Sequence, residues 1–185
     1  MPNRVMMFID GSNLYHGIKD ILGKVNIDYR CLVKKLVGDR ELIRVYYYIP
    51  IINREEAEEQ FRAQQRFLTY LQEIPYFQVK YGKLVRQGEL LVEKRTDVQI
   101  AVDIVRYAAF DYFDVCILIS GDRDFYPALD AVKDMGKQVE VAFFSQETAN
   151  ELRQFGDVFI DLRPQFIKDC IIHRDVLIGD IDRFL

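Results

Sequence analysis

Apolar and polar positions alternate along this chain at periods that switch between those of strands and those of helices. Arg4–Ile9 is a nearly unbroken apolar run and predicts a short buried strand. Asn13–Leu22 and Tyr29–Val37 predict two short helices, the second with Asp28 as its N-cap. Leu42–Ile49 (LIRVYYYI) is rich in β-branched and aromatic residues and predicts a strand. Arg54–Ile74 predicts the longest helix. It has acids in its first turns, an apolar stripe of Ala57, Phe61, Leu68 and Leu71, a Glu58–Arg62 pair at i,i+4 and Pro75 as its stop. Phe77–Val85 and Leu90–Glu93 flank a polar turn at Arg86–Glu89 and predict a β-hairpin. Asp97–Phe110 predicts a helix that is apolar on most sides and therefore buried. Val115–Ile119, Gln138–Phe144 and Val158–Asp161 predict strands. Between them lie helices at Asp124–Met135, ended by Gly136, and at Thr148–Phe155. Strand and helix alternate at the spacing of βαβ units, so the pattern predicts an α/β fold with a mainly parallel sheet and helices on both faces.

The chain has 185 residues, half of them hydrophobic, which suits one domain of residues 1–169 with a tail over 170–185. Arg163–Asp169 predicts a terminal helix. The tail mixes apolar residues and charges, and together with the long helix it makes a homodimer an open possibility. The formal net charge is −4, against a dedicated nucleic-acid coat protein but compatible with an enzyme that acts on nucleic acid through local basic groups. Three cysteines, Cys31, Cys116 and Cys170, are odd in number and widely spaced, so neither a disulfide framework nor a zinc site is expected. No apolar run is long enough to span a membrane, and the N-terminus enters a strand directly. A reducing cytoplasm is the default expectation.

Chemistry concentrates where two apolar runs end. MFIDGSN (Met7–Asn13) closes on Asp10, and ILISGDRDF (Ile117–Phe125) is followed by Asp122 and Asp124. If both runs are parallel strands, these carboxylates gather at the carboxyl edge of the sheet, where open α/β sheets bind ligands. Carboxylates without Cys or His beside them select a hard divalent cation, Mg²⁺ or Mn²⁺. KRTDVQIAVD (Lys94–Asp103) offers Asp97 at a helix start as a further carboxylate. Asp103 lies about 120° around the helix from Asp97, so the two do not share a face. A pairing of Asp103 with Arg106 stands beside a site role for it. Each acid also has a plainer reading: Asp10, Asp97, Asp122 or Asp124 as a helix N-cap, and His16 as a surface residue.

Spelling removes several alternatives. Ser12 stands where a haloacid-dehalogenase phosphatase needs its second Asp, and Leu14 where a MIDAS-type site needs Ser. G-x-G-x-x-G, the P-loop and the G-x-S-x-G elbow are all absent.

FIDGSN after the first strand, KRTDVQIAVD opening a central helix and SGDRDF after a later strand resemble, in order and spacing, the three motifs of the NYN domain, the LabA-like branch of the PIN-like nuclease superfamily. The resemblance covers about Arg4 to Asp161. It implies a Rossmann-like, PIN-like three-layer sandwich and a divalent-metal-dependent ribonuclease, or a catalytically silent descendant that binds RNA or a protein. By motif it places Asp10, Asp97, Asp122 and Asp124 at the metal, with Asn13, Ser120 and Asp103 in support. RNA phosphates would meet Lys94, Arg95, Arg123 and Ser12. Further candidates are Lys80, Lys83 and Arg86 for phosphates, and Tyr15 and Tyr81 for stacking on unpaired bases. A metal-dependent phosphoesterase of small substrates is the remaining alternative.

Overall fold

The structure is a computed structural model that describes residues 3–23, 26–55, 57–87, 90–94, 96–148 and 150–172, with backbone alone over 83–87 and 90–94. In chain order the strands are β1 (Arg4–Asp10), β2 (Asn26–Ile27), β3 (Glu41–Ile51), β4 (Phe77–Gln87), β5 (Leu90–Lys94), β6 (Val115–Ile119), β7 (Gln138–Phe143), β8 (Val158–Asp161) and β9 (Ile171–Ile172). The helices are α1 (Gly11–Leu22), α2 (Tyr29–Val37), α3 (Glu58–Gln72), α4 (Thr96–Ala109), α5 (Tyr126–Asp134), α6 (Asn150–Phe155) and α7 (Pro164–Ile167). Seven strands form one sheet in the order β5-β4-β3-β1-β6-β7-β8. All neighbours are parallel except the β4–β5 hairpin.

Period-2 alternation along β1 divides the core in two. Val5, Met7 and Ile9 pack with Leu14 of α1, Leu32 of α2, Phe67 of α3 and Ile167 of α7. Met6 and Phe8 pack on the opposite face with Ile100 and Ile104 of α4, Leu129 of α5 and Leu152 of α6. The result is a three-layer α/β sandwich whose central strand is apolar on both sides, as a doubly covered parallel strand must be. From β1 the chain builds outward through β3 in one direction and through β6 in the other, so the sheet reverses between β1 and β6.

Several predicted elements change on folding. The long helix begins at Glu58, because the Oδ1 of Asn53 accepts the Glu55 N–H (3.1 Å) and holds residues 53–55 in a turn. The Glu58–Arg62 pair forms, at 2.7 Å. The predicted α5 start is a 3-10 turn over Arg123–Phe125, and α5 proper begins at Tyr126. The helix read as buried has an exposed flank instead: Val98 and Val102 of α4 are 67% and 56% exposed. Its other side is committed to the sheet, and a helix on the outer layer of a sandwich has only one inner face.

The reading of the cysteines is corrected. Cys31 on α2 and Cys170 form a disulfide, with Cα atoms 5.3 Å apart, and Cys116 is the free, buried thiol. Sequence separation conceals this pairing. After β8 the chain returns through α7 and a 3-10 turn (Lys168–Cys170) to the outer side of α2, where β9 pairs with β2. Residues 164–172 are thereby packed on the domain. Residues 173–185 lie outside the described residues. No helix among the described residues is long and apolar enough to cross a membrane.

Candidate functional site at the sheet edge

Asp10 is the last residue of β1, beside the point where the sheet reverses, and open α/β sheets bind ligands at the carboxyl ends of strands there. Its side chain is 5% exposed. The Oδ1 accepts the Asn13 N–H (3.1 Å) and caps α1, while the Oδ2 lies 3.3 Å from the Ser120 hydroxyl that follows β6. A close approach makes this turn possible. A Cβ added at Gly11 would sit 2.5 Å from the Tyr47 ring and 2.5 Å from the Tyr48 carbonyl.

Ser120, fully buried, ties the two strand ends together. Its hydroxyl has one proton for two acceptors, Asp10 Oδ2 and Asn13 Oδ1 (3.1 Å), and its oxygen accepts the Asp122 N–H (3.2 Å). Asn13 Oδ1 also accepts the Gly121 N–H (2.8 Å). Asp122, half-buried, accepts the Asp124 N–H at 2.9 Å and caps the 3-10 turn. The cap readings of Asp10 and Asp122 are therefore correct and do not compete with a site role, since a carboxylate has more acceptor positions than a cap occupies. Arg123 and Asp124 are exposed beside this network.

The structure brings some of the predicted candidates together and leaves others apart. Asp10, Asn13, Ser120, Asp122 and the Asp124 amide are joined by the hydrogen bonds above. Asp97 stands exposed in the first turn of α4, and Ser12 is half-buried on α1. The side chains of Lys94, Arg95, Lys83 and Arg86 lie outside the described residues. Among the described residues, no three or more His, Cys, Asp or Glu side chains come together as a group that could hold a metal ion. Along this edge two carboxylates, a hydroxyl and an amide are linked by hydrogen bonds. Hard oxygen donors of this kind fit Mg²⁺ or Mn²⁺. Mg²⁺ in particular uses one or two carboxylates and keeps water or substrate oxygens for the rest of its shell.

Asp103 belongs to a second cluster one layer in. It is 5% exposed and accepts the Tyr48 hydroxyl (3.0 Å). Arg106 lies 3.3 Å from it and Lys80 lies 3.8 Å away. The i,i+3 pairing with Arg106 is borne out. Lys80, expected to face phosphates, instead points inward, with its ammonium 5.2 Å over the Tyr46 ring. Asp10, Tyr48 and Lys80 are register partners across β1, β3 and β4, so this cluster adjoins the anchor residue. Burial and the Asp103 charge raise the Tyr48 phenol far above its ordinary value and keep it a donor. Burial likewise raises Tyr47, and the charge of Asp10 adds to that rise.

Tyr48 and Glu147 are neighbours of this region that the sequence reading did not single out. Tyr48 lies within β3, and only the register of β3 against β1 places it beside Asp10. Glu147 had no signal in the sequence. It sits in the turn after β7, with its Oε2 3.0 Å from where a Cβ on Gly17 of α1 would be. Burial and Asp20 raise its carboxyl pKa, and His16 opposes the rise. Tyr81 is 43% exposed and takes a hydrogen bond from Gln72 (3.2 Å), whereas Tyr15 packs against the core edge-on to His16.

Residues 4–163 match the NYN domain. The chain is 23% identical over 163 residues to the Low amplitude and bright protein LabA of Synechococcus elongatus, covering 87% of this chain and 84% of that protein. Its fold is similar to the crystal structure of a protein of unknown function from Vibrio parahaemolyticus. The TM-score is 0.75 at 20% identity, covering 92% of this chain and 97% of the other.

Proposed function

Because this chain belongs to the NYN domain family, we propose that it is a divalent-metal-dependent ribonuclease acting at the edge where β1 and β6 end. The observation that carries the reading is the buried Asp10, locked by Asn13 and Ser120 at the reversal of the sheet. Asp10 and Asp122 would hold Mg²⁺ or Mn²⁺, with Asp97 and Asp124 contributing from the rim. A bound cation supplies positive charge against a phosphoryl group and makes water more acidic.

The chain's own residues do the rest. Ser120 fixes the Asp10 carboxylate from one side while its oxygen orders the Asp122 amide. Asn13 turns its Oδ1 toward Gly121, which leaves its amide nitrogen as the end that donates to a phosphate oxygen. Arg123 offsets the acids on either side and offers a guanidinium to the RNA backbone, and Ser12 adds a hydroxyl.

The test is cleavage of end-labelled single-stranded RNA with Mn²⁺, beside an Asp10→Asn variant. Asparagine keeps the α1 cap and removes the charge, so cleavage is expected in the wild type alone. Equal cleavage by both proteins would assign the activity to a contaminant and overturn the proposal.

A second reading, an RNA-binding module without hydrolysis, is favoured by the lack of a three-carboxylate group among the described residues. It predicts no cleavage and no rise in melting temperature with millimolar Mn²⁺, whereas a specific metal site raises it.

A further inference from the structure

The disulfide joins two parts of the molecule with different standing. Cys31 belongs to α2, inside the NYN match, and Cys170 lies beyond residue 163, where that match ends. Among the described residues, segment 164–172 is also held by non-covalent contacts. The Asp28 N–H donates to the Cys170 carbonyl (2.8 Å), and β9 pairs with β2 over two residues. Lys35 Nζ reaches the Phe166 carbonyl (2.7 Å) and Asp169 Oδ2 (2.8 Å). Ile167 and Cys170 enter the core, with Phe166 and Ile171 partly buried beside them. The two cysteines are not equivalent. Cys31 is part-exposed on the surface of α2, whereas Cys170 is 1% exposed. The third, Cys116, is fully buried, and burial raises its thiol pKa, so it stays protonated and out of exchange.

We propose that Cys31 is a thiol–disulfide exchange site, through which a low-molecular-weight thiol cuts the Cys31–Cys170 bond and unlatches segment 164–172 from α2. A small thiolate attacks the Cys31 sulfur. A new S–S bond forms there as the protein disulfide breaks, and the electron pair leaves on the Cys170 sulfur, which takes a proton from water. A second thiolate attacks the sulfur of the adduct, releases the small disulfide and leaves Cys31 as a thiolate that is then protonated. Two small thiols are oxidised and the protein gains two thiols. Burial directs the first attack to Cys31, because an incoming sulfur cannot line up behind Cys170 without entering the core. Once cut, the segment depends on the Lys35 contacts, the Asp28–Cys170 backbone hydrogen bond, a two-residue ladder and the burial of Ile167 and Cys170. Such contacts allow local opening far more readily than a covalent tie.

Thiol counting on the purified, unreduced protein in denaturant decides whether the bond exists. One reactive thiol is expected, rising to three after dithiothreitol, and three at the outset would overturn the proposal. Brief exposure of the native protein to glutathione, acid quench and peptide mass spectrometry should then find the adduct on Cys31. Adduct on Cys170 would refute the assigned direction of attack. Reduction should lower the melting temperature by about 5–15 °C and raise amide exchange over 164–172. Unchanged melting and exchange after reduction would refute the latch. A Cys31→Ser/Cys170→Ser variant should melt at the reduced temperature with or without thiol, while the wild-type thiol count stands independently of whether that variant folds.

Discussion

Asp10 carries two duties at one carboxylate, and they respond differently to substitution. Asp10→Asn keeps an acceptor for the Asn13 amide, so its stability should stay close to that of the wild type in urea melts. Asp10→Ala also removes the α1 cap and should cost about 1 kcal/mol. Asp103 is the opposite case, a charge whose work is internal. Asp103→Ala strips the acceptor from the Tyr48 hydroxyl and the counter-charge from Lys80. A destabilisation of about 2–3 kcal/mol is expected by chemical denaturation. The approach of Asp10 to Ser120 was readable because their two motifs end strands that the pattern makes parallel. The Tyr48–Asp103–Lys80 cluster was only half readable. The i,i+3 partner of Asp103 follows from helix geometry, but Tyr48 and Lys80 reach it from strands whose register no local pattern specifies. The same limit hid the meeting of Cys31 and Cys170.

Elements here are secured at their starts as well as at their functional ends. Arg4 opens β1, and Asp114 directly precedes β6, the strand that flanks β1. The Asp114 carboxylate accepts the Arg4 N–H (2.8 Å) and two guanidinium N–H groups (3.2 and 2.8 Å). These hydrogen bonds, foremost those of the Arg4 guanidinium, lower its pKa to about 2. Because the folded value is depressed, the contribution is complete above the unfolded value near 3.8 and is lost as pH falls through about 2. The pair is partly solvated, so its worth is under about 1 kcal/mol. An Arg4→Met variant should show a flatter stability profile between pH 4 and 2 by thermal scans in dilute salt. Strand order, in which α4 carries the chain from β5 past three strands to β6, was not legible, but the parallel direction of the sheet was, from the alternation of strand and helix. The start of α3 was not, because the Asn53 turn competes with the helix through a single side-chain contact.

Across the whole molecule the tyrosines form a pH-sensitive frame. Burial above all pushes Tyr29 up to about 12, and Tyr46, Tyr47 and Tyr48 are raised for the same leading reason. A raised folded pKa means that the stabilisation is fully present below the unfolded value near 10 and is lost as pH rises through the folded values. Alkaline unfolding is therefore expected to begin above about pH 10, with phenolate absorbance rising cooperatively with loss of far-ultraviolet circular dichroism. Independent, gradual titration would show that these rings are solvated. The chain has no tryptophan, so these phenols are also its natural optical reporters.

The covalent link between residues 31 and 170 closes a ring that contains β3 to β8. It leaves outside the strand that sits between β3 and β6, β1 with its terminal Asp10. The oxidised chain must therefore insert a strand from outside the ring into a slot whose two walls both lie within it. Pre-tethering shortens the search for those walls, so stopped-flow refolding should be faster from the oxidised denatured state than from the reduced one. In both, the carboxylate at the sheet edge would reach its place only when the centre of the sheet is filled, tying maturation of the site to the docking of β1.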